Sequence, residues 1–127
     1  MARHLLVDDV PAVLARGRGV EAFCGAGAQQ GTVRWVSLLQ ADSEIRATVF
    51  EVVAHKDPEW LDVYEFEPAP GTDPDGVVEQ RTFSAPIEAI AYLRKAWGVE
   101  SSRFVNAGVV QDEYSDYSRK LVGQTPK

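Results

Sequence analysis

The chain has 127 residues, 45% hydrophobic and 25% charged, with a formal net charge of −6. That length and balance describe a single globular domain, residues 1–127, whose core needs no disulfide or metal staple. One cysteine, Cys24, excludes an internal disulfide; no apolar run approaches the roughly 20 residues of a membrane span, and the first residues lack a signal-peptide run, so a cytoplasmic protein without a membrane partner is expected.

Residues 8–17 read as a short helix, with Asp8 or Asp9 at its start, Pro11 in the first turn and Gly17 as the stop. Residues 19–25 read as a second short helical turn, because Val20, Phe23 and Cys24 share a face at i, i+3, i+4. A glycine-rich loop, 25–31, leads into a strand over 32–40, a turn at 41–44 and a second strand over 45–55 rich in β-branched residues. Pro58 marks the next turn. Residues 60–67 read as a third strand, residues 68–76 as irregular chain with three prolines and two glycines, and residues 77–83 as a shorter fourth strand. The period then changes. Residues 84–98 form the clearest helix, with Pro86 and Glu88 in its first turn, Arg94 and Lys95 in its last, and Gly98 beyond. A helical turn over 101–105 and a last helix over 111–122 follow.

This order predicts an α+β fold: a four-stranded antiparallel meander, short N-terminal helices, and C-terminal helices packed mainly on one face. The tight turn sets a register in which Gln40 opposes Ile45, Trp35 opposes Phe50 and Arg34 opposes Glu51. Extended to the third strand, it sets Val52 against Val63 and Glu51 against Tyr64. Val33, Trp35, Phe50, Val52, Leu61 and Val63 then share the core face under the helices. The opposite, mixed face receives Arg34, Val36, Leu38, Val49, Glu51, Asp62, Tyr64 and Phe66.

Charge is concentrated. Residues 57–80 carry eight acidic side chains and no basic one, whereas residues 1–56 balance and residues 81–127 are slightly basic. A field of that sign repels phosphate and excludes nucleic acid; it steers a partner with a basic surface. Trp60, Tyr64 and Phe66 interleave with the carboxylates, adding the anchor area an interface needs. The candidate contact residues are therefore Asp57, Glu59, Asp62, Tyr64, Glu65, Phe66, Glu67, Asp73 and Asp75, joined by Asp112, Glu113 and Tyr114 from the most site-like stretch outside this segment.

No cofactor or metal motif stands out. The run Gly25-x-Gly27-x-x-x-Gly31 has a strand after it rather than before it, the reverse of a phosphate cradle. Asp73-Pro74-Asp75-Gly76 lacks the ligands a calcium loop needs at its first and twelfth positions. His4 and His55 have no zinc spacing, and no base is identifiable for Cys24. Asp112 and Asp116, at i, i+4, with Tyr114, supply the alternative: a small enzyme or ligand-binding domain with a pocket between sheet and helices. A homodimer pairing its mixed sheet face with its own copy is the third reading.

Asp62-Val63-Tyr64-Glu65-Phe66, the run from Thr82-Phe83-Ser84 to Ala91-Tyr92-Leu93, Arg103-Phe104-Val105-Asn106 and Asp112-Glu113-Tyr114 resemble short acidic bacterial proteins, some of which serve as immunity partners in toxin systems. The resemblance implies a non-enzymatic inhibitor that binds and neutralises a toxin domain, often a basic nuclease.

Overall fold

The computed structural model describes residues 3–54 and 63–124. Its elements are a 3-10 turn at Val7–Asp9, α1 (Val10–Ala15), β1 (Val20–Ala26), β2 (Thr32–Ala41), β3 (Glu44–Val53), a 3-10 turn at Val63–Glu65, β4 (Val77–Phe83), α2 (Pro86–Trp97), a 3-10 turn at Ser101–Arg103, β5 (Val105–Asn106) and α3 (Val110–Gln124). The strands form one antiparallel sheet in the order β4-β3-β2-β1-β5. The class is α+β as expected, with five strands among the described residues in place of four.

The β2–β3 hairpin closes through Asp42 and Ser43, with Asp42 at φ 57, the conformation a two-residue hairpin turn asks of its centre. The pairs Gln40–Ile45, Trp35–Phe50 and Arg34–Glu51 all form. Helix α2 also matches its sequence signals: Pro86 opens it, and Gly98, at φ 70, ends it by donating to the Arg94 carbonyl while Val99 reaches back to Leu93.

Three assignments change, the smallest being Val105, expected at the end of a helical turn and found in β5. Residues 20–26 are strand, not helix. Val20, Ala22 and Cys24 face one core and Glu21 and Phe23 the other, as a strand's alternation requires. Both faces of this strand are covered, so its apolar residues do not alternate with polar ones, and Val20, Phe23 and Cys24 fall at helical spacing by coincidence. In the predicted third strand, residues 60–62 lie outside the described residues and Val63–Glu65 is a 3-10 turn. Val52 accordingly bridges Pro68 instead of pairing with Val63, and β4 takes the place beside β3.

Helices cover both faces of the sheet rather than mainly one. Under α1 and α2 lies an aliphatic core of Val10, Leu14, Val36, Leu38, Val49 and Leu93, with Phe104. On the other face Phe23, Val33, Trp35 and Val52 pack with Val63, Phe66 and, from α3, Val110 and Tyr114. The set Val33, Trp35, Phe50, Val52 and Val63 does share a face, as its alternation predicts. Val36, Leu38 and Val49, expected on a mixed face, instead form the floor of the larger core. Phe66 lies with Trp35, not opposite it.

Candidate functional site

After β3 the described chain resumes at Val63 and runs to Gly76 along the end of the sheet. Backbone bonds pin this segment: Val53 N–H donates to the Glu67 carbonyl at 2.8 Å and Ala69 N–H to the Glu51 carbonyl at 3.1 Å. Val63, Phe66 and Ala69 are buried, three residues apart. The residues between them turn outward. Glu65 and Glu67 are exposed, and so are Asp73 and Asp75 farther on. Asp73 also folds its own loop, its Oδ1 accepting from Asp75 N–H at 2.9 Å and Val77 N–H at 2.8 Å. None of these four carboxylates enters an ion pair among the described residues. They form an acidic rim on a rigid support. Asp57, Glu59 and Asp62 lie outside the described residues.

Tyr64 stands at the edge of this rim, 46% exposed. Its ring meets Trp35 edge-on at 5.3 Å, and its hydroxyl donates to the Glu21 carboxylate at 2.7 Å. Glu21 comes from β1 and also accepts from Gly108 N–H at 3.0 Å. Burial pushes its carboxyl above the usual range, and these hydrogen bonds only partly restrain it. Phe66 is buried against the ring of Tyr114, 5.1 Å away. Phe66 and Tyr114 are thus buried side chains that hold α3 to the sheet rather than exposed contact residues.

Glu113 is also internal. It accepts from Arg3 at 2.7 Å, lies 2.6 Å from His4 Nε2 and 3.3 Å from Arg103, and so ties the N-terminal segment and the 101–103 turn to α3. Burial alone would raise its carboxyl, but the hydrogen bonds from His4 and Arg3 more than reverse this and hold it below the ordinary range. Asp112 is exposed on the same helix. Asp116 is exposed too and bound to Arg3 at 2.7 Å. The carboxylates of Asp112 and Asp116 and the hydroxyl of Tyr114 therefore do not converge on a common pocket.

A separate cleft of about 410 Å³ opens between β1, the end of α2 and α3, where Cys24, Trp97, Arg103, Glu113, Tyr117 and Lys120 meet. Burial pushes the Cys24 thiol up to about 11, so it is a packed thiol rather than a thiolate nucleophile at neutral pH. Glu113, the buried carboxylate of this cleft, is already engaged by Arg3, His4 and Arg103.

A further carboxylate has a decisive structural place. Glu51 is buried and accepts from the N–H groups of Ala28 and Gln29, the Thr32 hydroxyl and Arg34 Nη2, the last at 2.7 Å. Burial would raise it; the four donors bring it below the ordinary range. The sequence signal was a single charge inside the apolar run Ala47-Thr48-Val49-Phe50-Glu51-Val52-Val53. The glycine run serves this residue: a Cβ on Gly27 would come within 2.3 Å of Thr32 Oγ1 and 2.7 Å of Glu51 Cδ. Gly27 is there because the β1–β2 turn wraps closely around a carboxylate.

No family model, curated protein or solved structure matches this chain.

Proposed function

We propose that this protein is a non-enzymatic binding module that docks a partner with a basic surface, acting as an immunity or inhibitor protein. The carrying observation is the acidic rim. Glu65, Glu67, Asp73 and Asp75 are exposed together on a segment pinned to the sheet, with a half-exposed tyrosine beside them. Carboxylates on a fixed backbone steer an oppositely charged partner and lose little freedom when it arrives. The sequence adds Asp57, Glu59 and Asp62 to the same stretch.

The test begins with the partner captured from the native host and follows its association kinetics. Association should slow steeply with added salt, and the combined reversal Glu65→Lys, Glu67→Lys and Asp75→Lys should reduce the on-rate by roughly tenfold or more. An on-rate indifferent to both salt and charge reversal rules this reading out.

A second reading, a ligand-binding domain, is favoured by the cleft beside Cys24. It ranks lower because Asp112, Asp116 and Tyr114 do not gather there.

A further inference from the structure

Beneath the acidic rim lies a pocket of about 220 Å³. We infer that this pocket is the anchor socket of the face, and that it takes one arginine or lysine side chain from an exposed peptide segment of the partner. This rests on the protein-binding reading above and names the chemistry of its contact.

Trp35, Phe50, Val52, Tyr64 and Phe66 line the pocket, together with the exposed Asp75. The rings of Trp35 and Phe50 are stacked, with centroids 4.2 Å apart and 12° between planes. Aromatic faces attract cations, tryptophan most strongly, and the attraction grows when water is excluded. Asp75 supplies a formal negative charge to the same space, and the neighbouring rim carries no basic side chain. A neutral aliphatic group would use the rings but not Asp75, and an anion would be repelled by it.

The second observation concerns Trp35 itself. Its side chain is 5% exposed, yet its Nε1–H has no hydrogen-bond partner among the described residues. A buried donor left idle is costly and rare. Trp97, the tryptophan of the opposite face, is engaged: its Nε1–H donates to Glu79 at 3.0 Å and its ring carries the Arg34 guanidinium at 4.7 Å. A bound arginine or lysine would give the Trp35 ring the contact that the Trp97 ring already has, a cation against its face. The inaccessible Nε1–H marks how incompletely this side of the sheet is packed.

The experiment is a nuclear magnetic resonance titration of the full chain with two end-blocked pentapeptides, Gly-Gly-Arg-Gly-Gly and its counterpart with citrulline, which keeps the shape of arginine without its charge. The indole resonance of Trp35 is assigned by its loss in Trp35→Phe. The arginine peptide should shift that resonance saturably and bind roughly three- to tenfold more tightly than the citrulline peptide. Asp75→Asn, an exposed change, should narrow that gap, and Phe50→Leu should weaken the arginine peptide. Equal affinities for the two peptides would overturn the inference, as would an unmoved Trp35 indole or an Asp75→Asn variant that keeps the full gap. Those results leave the protein-binding reading standing as long as the captured partner still associates in a salt-dependent way. Loss of that salt dependence removes the wider reading on its own.

Discussion

The sheet face beneath α1 and α2 and the face beneath α3 are built from the same strands, yet they close differently. The first is aliphatic at its centre, with Leu14, Leu38 and Leu93 fully or almost fully buried, and its margin is polar and largely engaged, although Arg34 Nε has no hydrogen-bond partner among the described residues. There Glu51 collects four donors, and Glu79 accepts from Tyr92 and Trp97. The second is aromatic, with Phe23 and Phe66 meeting Tyr114 edge-to-face and Trp35 meeting Tyr64 likewise, and its covering is α3 together with a 3-10 turn and a pinned loop. Its Trp35 N–H is idle and a pocket remains beside it. One face is closed throughout, while the other keeps the pocket on which the proposed binding rests. Natural domains place function where local packing is least complete.

That contrast predicts where the chain is brittle. Glu51→Ala should have the largest effect, a loss of about 3–5 kcal/mol, because it strands the largely buried Arg34 and leaves two turn N–H groups without their acceptor. Chemical denaturation at neutral pH measures it, and a loss below about 1 kcal/mol would show that the β1–β2 turn holds without its carboxylate. Leu93→Ala comes next, at about 3 kcal/mol, as the usual cost of a cavity in a dry aliphatic core. It should leave affinity for the arginine peptide unchanged, since Leu93 and the Trp35 pocket lie on opposite faces of the sheet.

Glu113 gives a smaller effect with a pH signature. Its carboxyl lies below its ordinary value in the folded state, so it contributes stability above that ordinary value of 4.5 and loses it as pH falls through the folded one. Glu113→Gln should cost about 1–2 kcal/mol at pH 7. The figure is discounted because Arg3 and His4 are about one-third exposed and rehydrate when released. Stability curves of variant and parent should converge as pH drops well below 4.5. A gap that persists undiminished at low pH would mean that Glu113 acts by packing rather than by charge.

The legible and illegible parts of the sequence differ in the range of their causes. The β2–β3 register and α2 were readable because their signals are local: a two-residue turn with strict alternation on either side, and a proline start with a glycine stop. Residues 20–26 were not, because both faces of this strand are buried, so apolar residues at 20, 23 and 24 serve two cores and fall at helical spacing. Val63 and Phe66 are both buried and three residues apart, which fits a 3-10 turn and is hidden inside a segment that otherwise alternates like a strand. The exposed carboxylates Glu65, Glu67, Asp73 and Asp75 could be read from charge alone. Glu113 could not, since its partners Arg3 and His4 stand about 110 positions earlier in the chain. The idle N–H of Trp35 is likewise a product of tertiary packing, invisible to composition and period.

The smallest effect compares the two faces most directly. Trp35→Phe keeps a ring against Phe50 but deletes an unpartnered buried donor. Relief of that donor, about 1–3 kcal/mol, opposes the lost apolar area of the larger indole, about 1–2 kcal/mol. The two should nearly cancel, leaving stability within about 1 kcal/mol of the parent. Trp97→Phe on the other face has no such relief: it gives up the hydrogen bond to Glu79 and weakens the contact with Arg34, and should cost about 1–2 kcal/mol. Parallel denaturation of the two variants measures the difference. If Trp35→Phe proved the costlier change, the aromatic face would be as fully closed as the aliphatic one, and the pocket beside Trp35 would be a packing defect rather than a socket.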